Sequence, residues 1–315
     1  MIRYLNYLLF IPLLCTSAAA AKFPPVDMTP VKVSEHVWYV QGKPGTAIEN
    51  EGFVSNAAFV ITRSGVVVFD ALGTPALANM LLAEIRKITS EPVKTVVVSH
   101  YHADHVYGLQ VFKDAGAEVI GPAGSLDYLN SDAAEERLAE RRVSLAPWID
   151  DNTRLVPPDR YISGSETFTV GDVTFSISNL GSAHSEGDLS LYVEPDKVLL
   201  SGDVIFDGRT PWLGDADTLN WLKTLETIQA SNPAAIVPGH GELSVDPASL
   251  VKLTHDYLEF LRKSMQQAVD DWIPFDEAYD DVDWGDYEFL PAFFEANRKN
   301  AYQVYLSLEQ ESLKR

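Results

Sequence analysis

The chain of 315 residues carries 45 acidic and 24 basic residues, which gives a net charge of −21 at pH 7. A surface of this sign repels nucleic acid phosphates and anionic membranes. We therefore expect no nucleic acid as a partner, although the acidity could equally serve only to keep an exported protein in solution. The partner that we expect is a small-molecule substrate, and we expect no stable membrane anchor. The composition does not indicate an oligomeric state.

The N-terminus has the pattern of a secretory signal peptide. Arg3 precedes an apolar stretch that ends at Leu14, and small residues follow up to a cleavage site near Ala20. The apolar stretch is too short to cross a bilayer. We expect removal of residues 1–20 and a periplasmic or secreted mature protein. Cys15 is the only cysteine, so the mature chain has no disulfide and no thiolate metal ligand.

The rest of the chain alternates strand and helix patterns. Strand-like segments are Val31–Val40, Phe59–Ile61, Val66–Phe69, Lys94–Val98, Glu118–Ile120, Thr167–Val170, Val173–Ser178, Leu189–Val193, Val198–Leu200 and Ala235–Val237. Helical patterns are Thr74–Ile88, Tyr107–Ala115, Leu126–Arg142, Ala216–Ala230 and most of the chain after Pro247. Hairpins followed by strands with helices between them predict an α/β (α+β) sandwich and not a doubly wound sheet.

Four of the strand patterns run into a short turn and then a histidine or an aspartate. The residues after these turns are His100, His184, Asp203 and His240. Three of the four turns contain glycine, which allows a close approach of two backbones. We therefore expect several strand ends to meet at one site on the edge of a sheet.

The segment HYHADH places further metal-binding side chains directly after the first of these strands. Residues i and i+2 of an extended segment face the same way, so His100 and His102 can share one metal ion. Asp104 and His105 follow at the start of a predicted helix and can turn toward a second ion.

The other strand ends complete two adjacent sites. His184 adds a third histidine to the first site, His240 joins Asp104 and His105 at the second, and Asp203 can bridge the two ions. Imidazole and carboxylate ligands suit zinc. We expect two zinc ions per chain, with iron or manganese as the alternatives, and a bridging hydroxide as the nucleophile.

This set of residues resembles the metal ligands of the metallo-β-lactamase superfamily. The resemblance covers H-x-H-x-D-H at 100–105 together with His184, Asp203 and His240. It implies a four-layer αββα sandwich with the metal site at one edge of the two sheets. Asp70, which ends VVVFD, matches a superfamily aspartate that supports the site from behind by orienting a ligand or the metal-binding loop. The implied domain spans residues 21–246 with a helical insertion at about 126–160, and residues 247–315 form a C-terminal helical extension.

A narrower resemblance and two departures refine this prediction. Gly208–Asp217 and Asn297–Glu309 resemble exported members linked to sulfur oxidation and quinoprotein systems. His102 stands where flavin-linked di-iron members have glutamate, which argues against a redox role. Asp203 stands where one large class of β-lactamases has cysteine.

The function that we expect is an exported dinuclear zinc hydrolase, in which a metal-bound hydroxide attacks the carbonyl of a thioester, a lactone or a β-lactam. Asp104 would orient the hydroxide and pass on its proton. Arg209 and Trp212 are candidate substrate contacts, although Arg209 could instead pair with Asp207 or Asp215. The alternative function is a non-catalytic, accessory metal-binding protein of a periplasmic redox pathway.

Three further features have no place in the ligand pattern. His36 and His255 have no partner in it, and we expect ordinary structural roles for both. The polar loop Gly42–Asn56 is either a flexible lid over the site or a long hairpin turn.

Overall fold

Two β-sheets lie face to face between two layers of helices in the computed structural model, which describes residue 23 and residues 26–314. The predicted signal peptide and its cleavage site lie outside the described residues. The predicted four-layer sandwich is confirmed.

The first sheet contains seven strands that neighbour one another in chain order. The strands are β1 (Val31–Lys32), β2 (Val37–Val40), β3 (Ala57–Thr62), β4 (Gly65–Phe69), β5 (Val93–Val97), β6 (Glu118–Pro122) and β7 (Arg160–Ile162). Pairing is antiparallel from β1 to β4 and parallel from β4 to β7. The helices of this half are α1 (Pro75–Ile88), α2 (Ala103–Val106), α3 (Leu109–Asp114), α4 (Ser125–Leu129) and α5 (Asp132–Ser144).

The second sheet contains five strands in the order β12-β11-β10-β9-β8. The strands are β8 (Glu166–Val170), β9 (Val173–Asn179), β10 (Leu189–Val193), β11 (Val198–Phe206) and β12 (Ala235–His240). Only β11 and β12 pair in parallel. The helices of this half are α6 (Thr218–Ser231), α7 (Pro247–Asp270), α8 (Phe275–Asp281) and α9 (Phe293–Ser312).

Three apolar cores hold the four layers together. The central core packs side chains such as Val60 and Val97 of the first sheet against Phe175 and Leu191 of the second. A second core lies between the first sheet and α1 and α3, and a third lies between the second sheet and α6, α7 and α9. Burial on both faces explains why β4, which is buried along its whole length, reads as a continuous apolar run.

Helix α1 illustrates how local sequence sets an element. The Thr74 side chain accepts a hydrogen bond from the Leu77 amide and caps the helix, and Pro75 occupies the first turn, where no amide hydrogen is needed. Leu77, Leu81 and Ile85 recur at helical spacing and are fully buried against the first sheet.

Three predicted elements are wrong in their extent. The strand predicted at Val198–Leu200 continues to Phe206, so Asp203 lies inside β11 and does not follow a turn, because Gly202 (φ +56°) shifts the pairing with β12 without ending the strand. Val31–Val40 is not one strand, because β1 and β2 form an antiparallel hairpin around Ser34–His36, with Val31 opposite Tyr39. The predicted helix Leu126–Arg142 is broken into α4 and α5 at Ser131, which has an extended backbone (φ −93°, ψ 155°). Serine and asparagine compete with the helical backbone for hydrogen bonds, which explains a break at Asn130-Ser131. The three-residue strand β7 was not predicted, because it is too short to show a period.

No helix within residues 26–314 is long and apolar enough to cross a membrane.

The elements that matter for the site are β5, β9, β11 and β12. They end, or in the case of β11 pass, at one edge of the two sheets.

Candidate metal centre

Three histidines from two parts of the chain form the first ligand group. His100 and His102 follow β5, and His184 follows β9. His102 Nδ1 lies 2.9 Å from His184 Nε2. The His100 ring lies 4.5 Å from that of His102 and 4.8 Å from that of His184. These rings and one Asp203 oxygen have ligand atoms within 4.8 Å of one another, a spacing that suits one shared cation.

The second ligand group lies beside the first. Asp104 and His105 belong to α2, and His240 ends β12. Asp104 Oδ2 lies 3.3 Å from His240 Nε2 and 3.7 Å from His105 Nε2. The ligand atoms of these three residues also lie within 4.8 Å of one another. The structure therefore brings together all seven residues that the sequence predicted as metal ligands.

Asp203 lies between the two groups. Its Oδ1 is 3.1 Å from His105 Nε2, and its Oδ2 is 3.2 Å from His240 Nε2, both in the second group. The same Oδ2 is 3.5 Å from His184 Nε2 and 3.8 Å from His100 Nε2 in the first group. One carboxylate therefore faces four imidazoles, and its side chain is only 4% exposed.

The buried polar atoms of the site fit a metal better than they fit one another. His100 Nε2, His105 Nε2 and Asp203 Oδ1 are buried, and none makes a hydrogen bond with suitable angles among residues 26–314, although the last two atoms lie 3.1 Å apart. Buried polar atoms without partners are costly. Gly239 is needed beside them, because a Cβ there would lie 2.0 Å from Asp203 Oδ1. Imidazole nitrogens and carboxylate oxygens are the donor set of zinc and similar divalent metals.

The two groups differ in charge without a cation. Burial, together with neighbouring histidines, lowers the pKa of His100, His102 and His184, to about 3 for His184. Burial also opposes a charge on His105 and His240, but Asp203 and Asp104 outweigh it and raise the pKa of both rings. Protons on the second group thus balance its carboxylates, and a metal cation there would replace those protons.

Asp70 is linked by hydrogen bonds to a histidine of each group. Its Oδ2 accepts from His105 Nδ1 at 2.9 Å and from Ser99 Oγ at 2.8 Å, while Oδ1 accepts from the Ser99 amide at 2.7 Å. Ser99 Oγ in turn lies 2.9 Å from His100 Nδ1. Hydrogen bonds of this kind fix the orientation of a histidine ring and the nitrogen that faces the metal.

A second support, residues 54–56, was missed by the sequence analysis. The Val54 carbonyl accepts from His240 Nδ1 at 2.7 Å, and Ser55 Oγ donates to the Asp104 carbonyl at 2.5 Å. Asn56 Nδ2 donates to Pro238 and Gly241, on either side of His240. The only signal in the sequence is the polar pair Ser55-Asn56 just before β3, and such a pair does not indicate which groups it will contact.

Asp188 fixes the loop that carries His184. Its Oδ2 accepts from the amides of Ala183 and Ser185, and its Oδ1 accepts from Ser185 Oγ at 2.6 Å. Burial raises the pKa of Asp188 to about 7. This residue could not be predicted from the sequence, because a single aspartate before a strand indicates nothing specific.

Arg209 points toward the metal centre. It lies on residues 208–214, which we call the Arg209 loop. Its NH1 is 3.3 Å from His240 Nδ1, which already donates to Val54, and its Nε has no hydrogen-bond partner among residues 26–314. Within the same residues it makes no ion pair with Asp207 or Asp215. Burial lowers its pKa, against the opposing effect of Asp104 and Asp203.

A cavity of about 230 Å³ opens beside Arg209. Its walls include Lys43 and Val54 from the loop Gly42–Asn56 on one side, and Gly241 and Glu242 on the other. Its lining includes none of the seven predicted ligands, but Val54 bonds to His240 and Gly241 follows it. The polar loop therefore forms one wall of a cavity beside the metal centre, which we call the Arg209 cavity.

Three other residues lie outside the ligand groups. Trp212 lines a separate depression with Tyr302, and the centre of the Trp212 ring is 5.5 Å from Lys299 Nζ. His36 Nδ1 is 2.8 Å from Asp196 Oδ2, and His255 lies beside Asp256 on α7. Neither histidine joins the ligands, as predicted.

Comparison with known proteins supports the same assignment. Residues 50–240 match the family model of the metallo-beta-lactamase superfamily. Metallo-beta-lactamase IND-1 of Chryseobacterium indologenes is 22% identical over 218 residues, which are 68% of this chain and 81% of that protein. Metallo-beta-lactamase type 2 of Bacteroides fragilis is 24% identical over 201 residues, 62% of this chain and 72% of that protein.

Solved structures share the fold. A metallo-beta-lactamase from Pontibacter korlensis has a TM-score of 0.59 at 23% identity and covers 74% of this chain and 99% of its own. The stereoselective inverting sec-alkylsulfatase Pisa1 from Pseudomonas sp. has a TM-score of 0.68 at 18% identity and covers 89% of this chain and 50% of its own.

The family match spans more than half of the chain and every predicted ligand. The protein therefore belongs to the metallo-beta-lactamase superfamily and is a metallohydrolase with a His/Asp metal site.

Proposed function

We propose that the protein is an exported, dinuclear zinc hydrolase that cleaves a carbonyl substrate carrying an anionic group. The observation that carries the proposal is the position of Asp203, with one oxygen 3.1 Å from His105 and the other 3.5 Å from His184. One carboxylate within reach of both ligand groups favours two ions that share it over two independent sites. Thioesters, lactones and β-lactams are the candidate substrates.

When bound, zinc supplies Lewis acidity, which polarises a carbonyl and makes water acidic enough to attack near neutral pH. The His100–His102–His184 group would hold one ion and the Asp104–His105–His240 group the other. These residues also exclude most water, since the rings of His100, His105 and His184 are at most 1% exposed.

Asp104 is our candidate for the catalytic proton carrier. Its side chain is 26% exposed, whereas that of Asp203 is 4% exposed. Asp104 is therefore the carboxylate of the site that a substrate and water can reach. Its Oδ2 can hold the attacking water in line and accept its proton.

Arg209 is our candidate for recognition of the substrate anion. Its guanidinium lies beside His240, its Nε has no hydrogen-bond partner among the described residues, and Arg209 lines the cavity next to the metal centre. A planar guanidinium suits a carboxylate, which it can bind through two parallel hydrogen bonds. Trp212 belongs to the same loop, and its contact with a substrate stays a prediction.

The test is a panel of chromogenic thioesters, lactones and β-lactams, each used as the free acid and as its methyl ester. We expect hydrolysis of at least one class, complete loss with chelator, and recovery with added zinc. Arg209→Gln should raise KM for the acid and leave the ester unchanged. Arg63→Gln is the matched control, because the Arg63 side chain is 86% exposed and pairs with Asp172. A protein that binds no zinc, or that hydrolyses no member of the panel when loaded, would contradict the proposal.

Export is tested separately. The small residues before Lys22 favour cleavage there, so mass spectrometry of the secreted or periplasmic protein should find a new N-terminus between Ala19 and Lys22. A soluble periplasmic protein that retains Met1 would refute the assignment.

A further inference from the structure

The Arg209 loop is held in place by the C-terminal extension. The Thr210 amide donates to the Pro291 carbonyl at 3.0 Å. The Leu213 amide donates to Asn300 Oδ1 at 3.0 Å, and Asn300 Nδ2 donates to the Pro211 carbonyl at 2.7 Å. Three backbone groups that directly follow Arg209 are therefore bonded to residues 291–300.

Asn300 uses its whole amide in this contact. It is 1% exposed, its oxygen accepts from the loop, and its two amide hydrogens go to Pro211 and to the Tyr257 hydroxyl at 2.8 Å. A fully satisfied buried amide has one orientation only. A single side chain thus fixes a carbonyl and an amide two residues apart on the loop.

A buried network anchors Asn300 to the rest of the extension. Tyr257 of α7 donates to Asn297 Oδ1 at 2.8 Å, and Asn297 Nδ2 donates to the Tyr279 hydroxyl of α8 at 3.0 Å. Asn297 and Asn300 are one turn apart on α9, and both are buried. Apolar side chains could fill this space without desolvating four polar groups, so packing alone does not account for the network.

The other end of the loop is fixed to the metal centre itself. The Asp207 amide donates to the His240 carbonyl at 2.9 Å, and Asp207 Oδ2 accepts from the Glu242 amide at 3.2 Å. Arg209 thus lies between an anchor on β12 and an anchor on α9.

We propose that Asn300 is a positioning residue that sets the direction of Arg209, so that the C-terminal extension determines the affinity for the substrate anion. The inference rests on the proposed function in one respect, namely that Arg209 binds that anion. Among the described residues, Asn300 forms no hydrogen bond with a metal ligand and does not line the Arg209 cavity. Its effect should therefore appear in KM and not in metal content.

The experiment compares Asn300→Ala with Asn297→Ala in the full-length, zinc-loaded protein. The two asparagines share a helix, a buried environment and a bond to Tyr257, but only Asn300 contacts the loop. The probes are the free acid and the methyl ester of whichever panel compound is hydrolysed. Asn300→Ala should raise KM for the acid about tenfold, as expected for the loss of two loop hydrogen bonds, with kcat, the ester and zinc content unchanged. Asn297→Ala should leave KM for both probes near the wild-type value.

Two further measurements keep the inference testable. Combining Asn300→Ala with Arg209→Gln should add little to Arg209→Gln alone, because both act through one guanidinium. Hydrogen exchange of the peptide spanning residues 207–214 should speed up in Asn300→Ala and not in Asn297→Ala. Should Asn300→Ala fail to fold, Tyr257→Phe removes the hydroxyl beneath Asn300 and should move KM in the same direction by about twofold to threefold.

The outcomes separate the two proposals. If Arg209→Gln affects the acid and the ester equally, the anion assignment fails, and this inference fails with it. If Arg209→Gln is selective for the acid but Asn300→Ala matches Asn297→Ala in KM and in hydrogen exchange, the anion assignment stands and only the positioning role of Asn300 is overturned.

Discussion

Replacing Asp203 should uncouple the two ligand groups. Asp203→Ala removes the one carboxylate that lies within 3.8 Å of four imidazoles, two in each group. It also leaves His105 and His240 facing each other across a space where their counter-charge stood. We expect loss of at least one metal ion and a large loss of kcat.

The size of the effect follows from the burial of this carboxylate. Removing one partner of a buried charged pair costs about 3–5 kcal/mol. At about 1.4 kcal/mol per factor of ten, this corresponds to roughly a hundredfold to several-thousandfold loss in affinity for the cation that depends on Asp203. Asp203→Asn keeps the volume and one oxygen, so we expect a smaller loss of metal but still a reduced kcat.

The assay is equilibrium dialysis at a fixed free zinc concentration, followed by elemental analysis and turnover measurements on the same samples. Asp196→Asn is the control, because the Asp196 side chain is also only 5% exposed but pairs with His36, which belongs to neither ligand group. An Asp203→Ala protein that keeps two zinc ions per chain and near-normal turnover would show that Asp203 does not link the groups.

Three further predictions concern the surroundings of the site. Asp70→Asn should lower zinc affinity or turnover about 10–100-fold. Asparagine tolerates the left-handed backbone at this position (φ +63°), so the substitution should not strain the chain. Unchanged zinc affinity by dialysis and unchanged turnover would contradict the orienting role. The raised pKa of His105 and His240 means that these rings keep protons to a higher pH than the rings of the first group, so zinc uptake there should release protons and weaken as pH falls. Calorimetry in buffers of different ionisation enthalpy should detect this release, and equal pH dependence for the two zinc equivalents would count against it. Asn56→Ala should lower the free energy of unfolding by about 2–3 kcal/mol and weaken zinc binding at His240. Denaturation with and without zinc measures both effects. A loss of stability with unchanged zinc affinity would limit Asn56 to a structural role.

The ligands could be predicted because their signal is local. His100 and His184 follow strands and His240 ends one, while Asp203 lies inside β11. Strand ends at one edge of a sandwich meet in space, so a short turn and a metal-binding residue after each strand indicated the site without knowledge of the sheet order.

The supports of the site could not be predicted because their partners are far apart in the chain. The Val54 carbonyl and His240 are separated by 186 residues, and Pro211 and Asn300 by 89. A single polar residue in a loop or helix carries no period and does not indicate which backbone group it will meet. The same reason applies to the hairpin within Val31–Val40, where the alternation of side chains was correct but the turn left no glycine or proline signal.

The net charge yields a last prediction about the substrate. A chain of net charge −21 repels an anion at long range, so its recognition by Arg209 has to act at short range, within the cavity beside the metal centre. Salt screens the long-range repulsion over a Debye length of about 8–10 Å at 0.10–0.15 M ionic strength, but it screens the partly buried guanidinium less. We therefore expect kcat/KM for the free acid to rise by a few-fold as potassium chloride increases from low ionic strength to about 0.15 M. The methyl ester should show no change. A fall of kcat/KM for the acid over this range would contradict this reasoning. It would mean that the positive charges of the cavity, among them Lys43, attract the anion at long range more strongly than the acidic surface repels it.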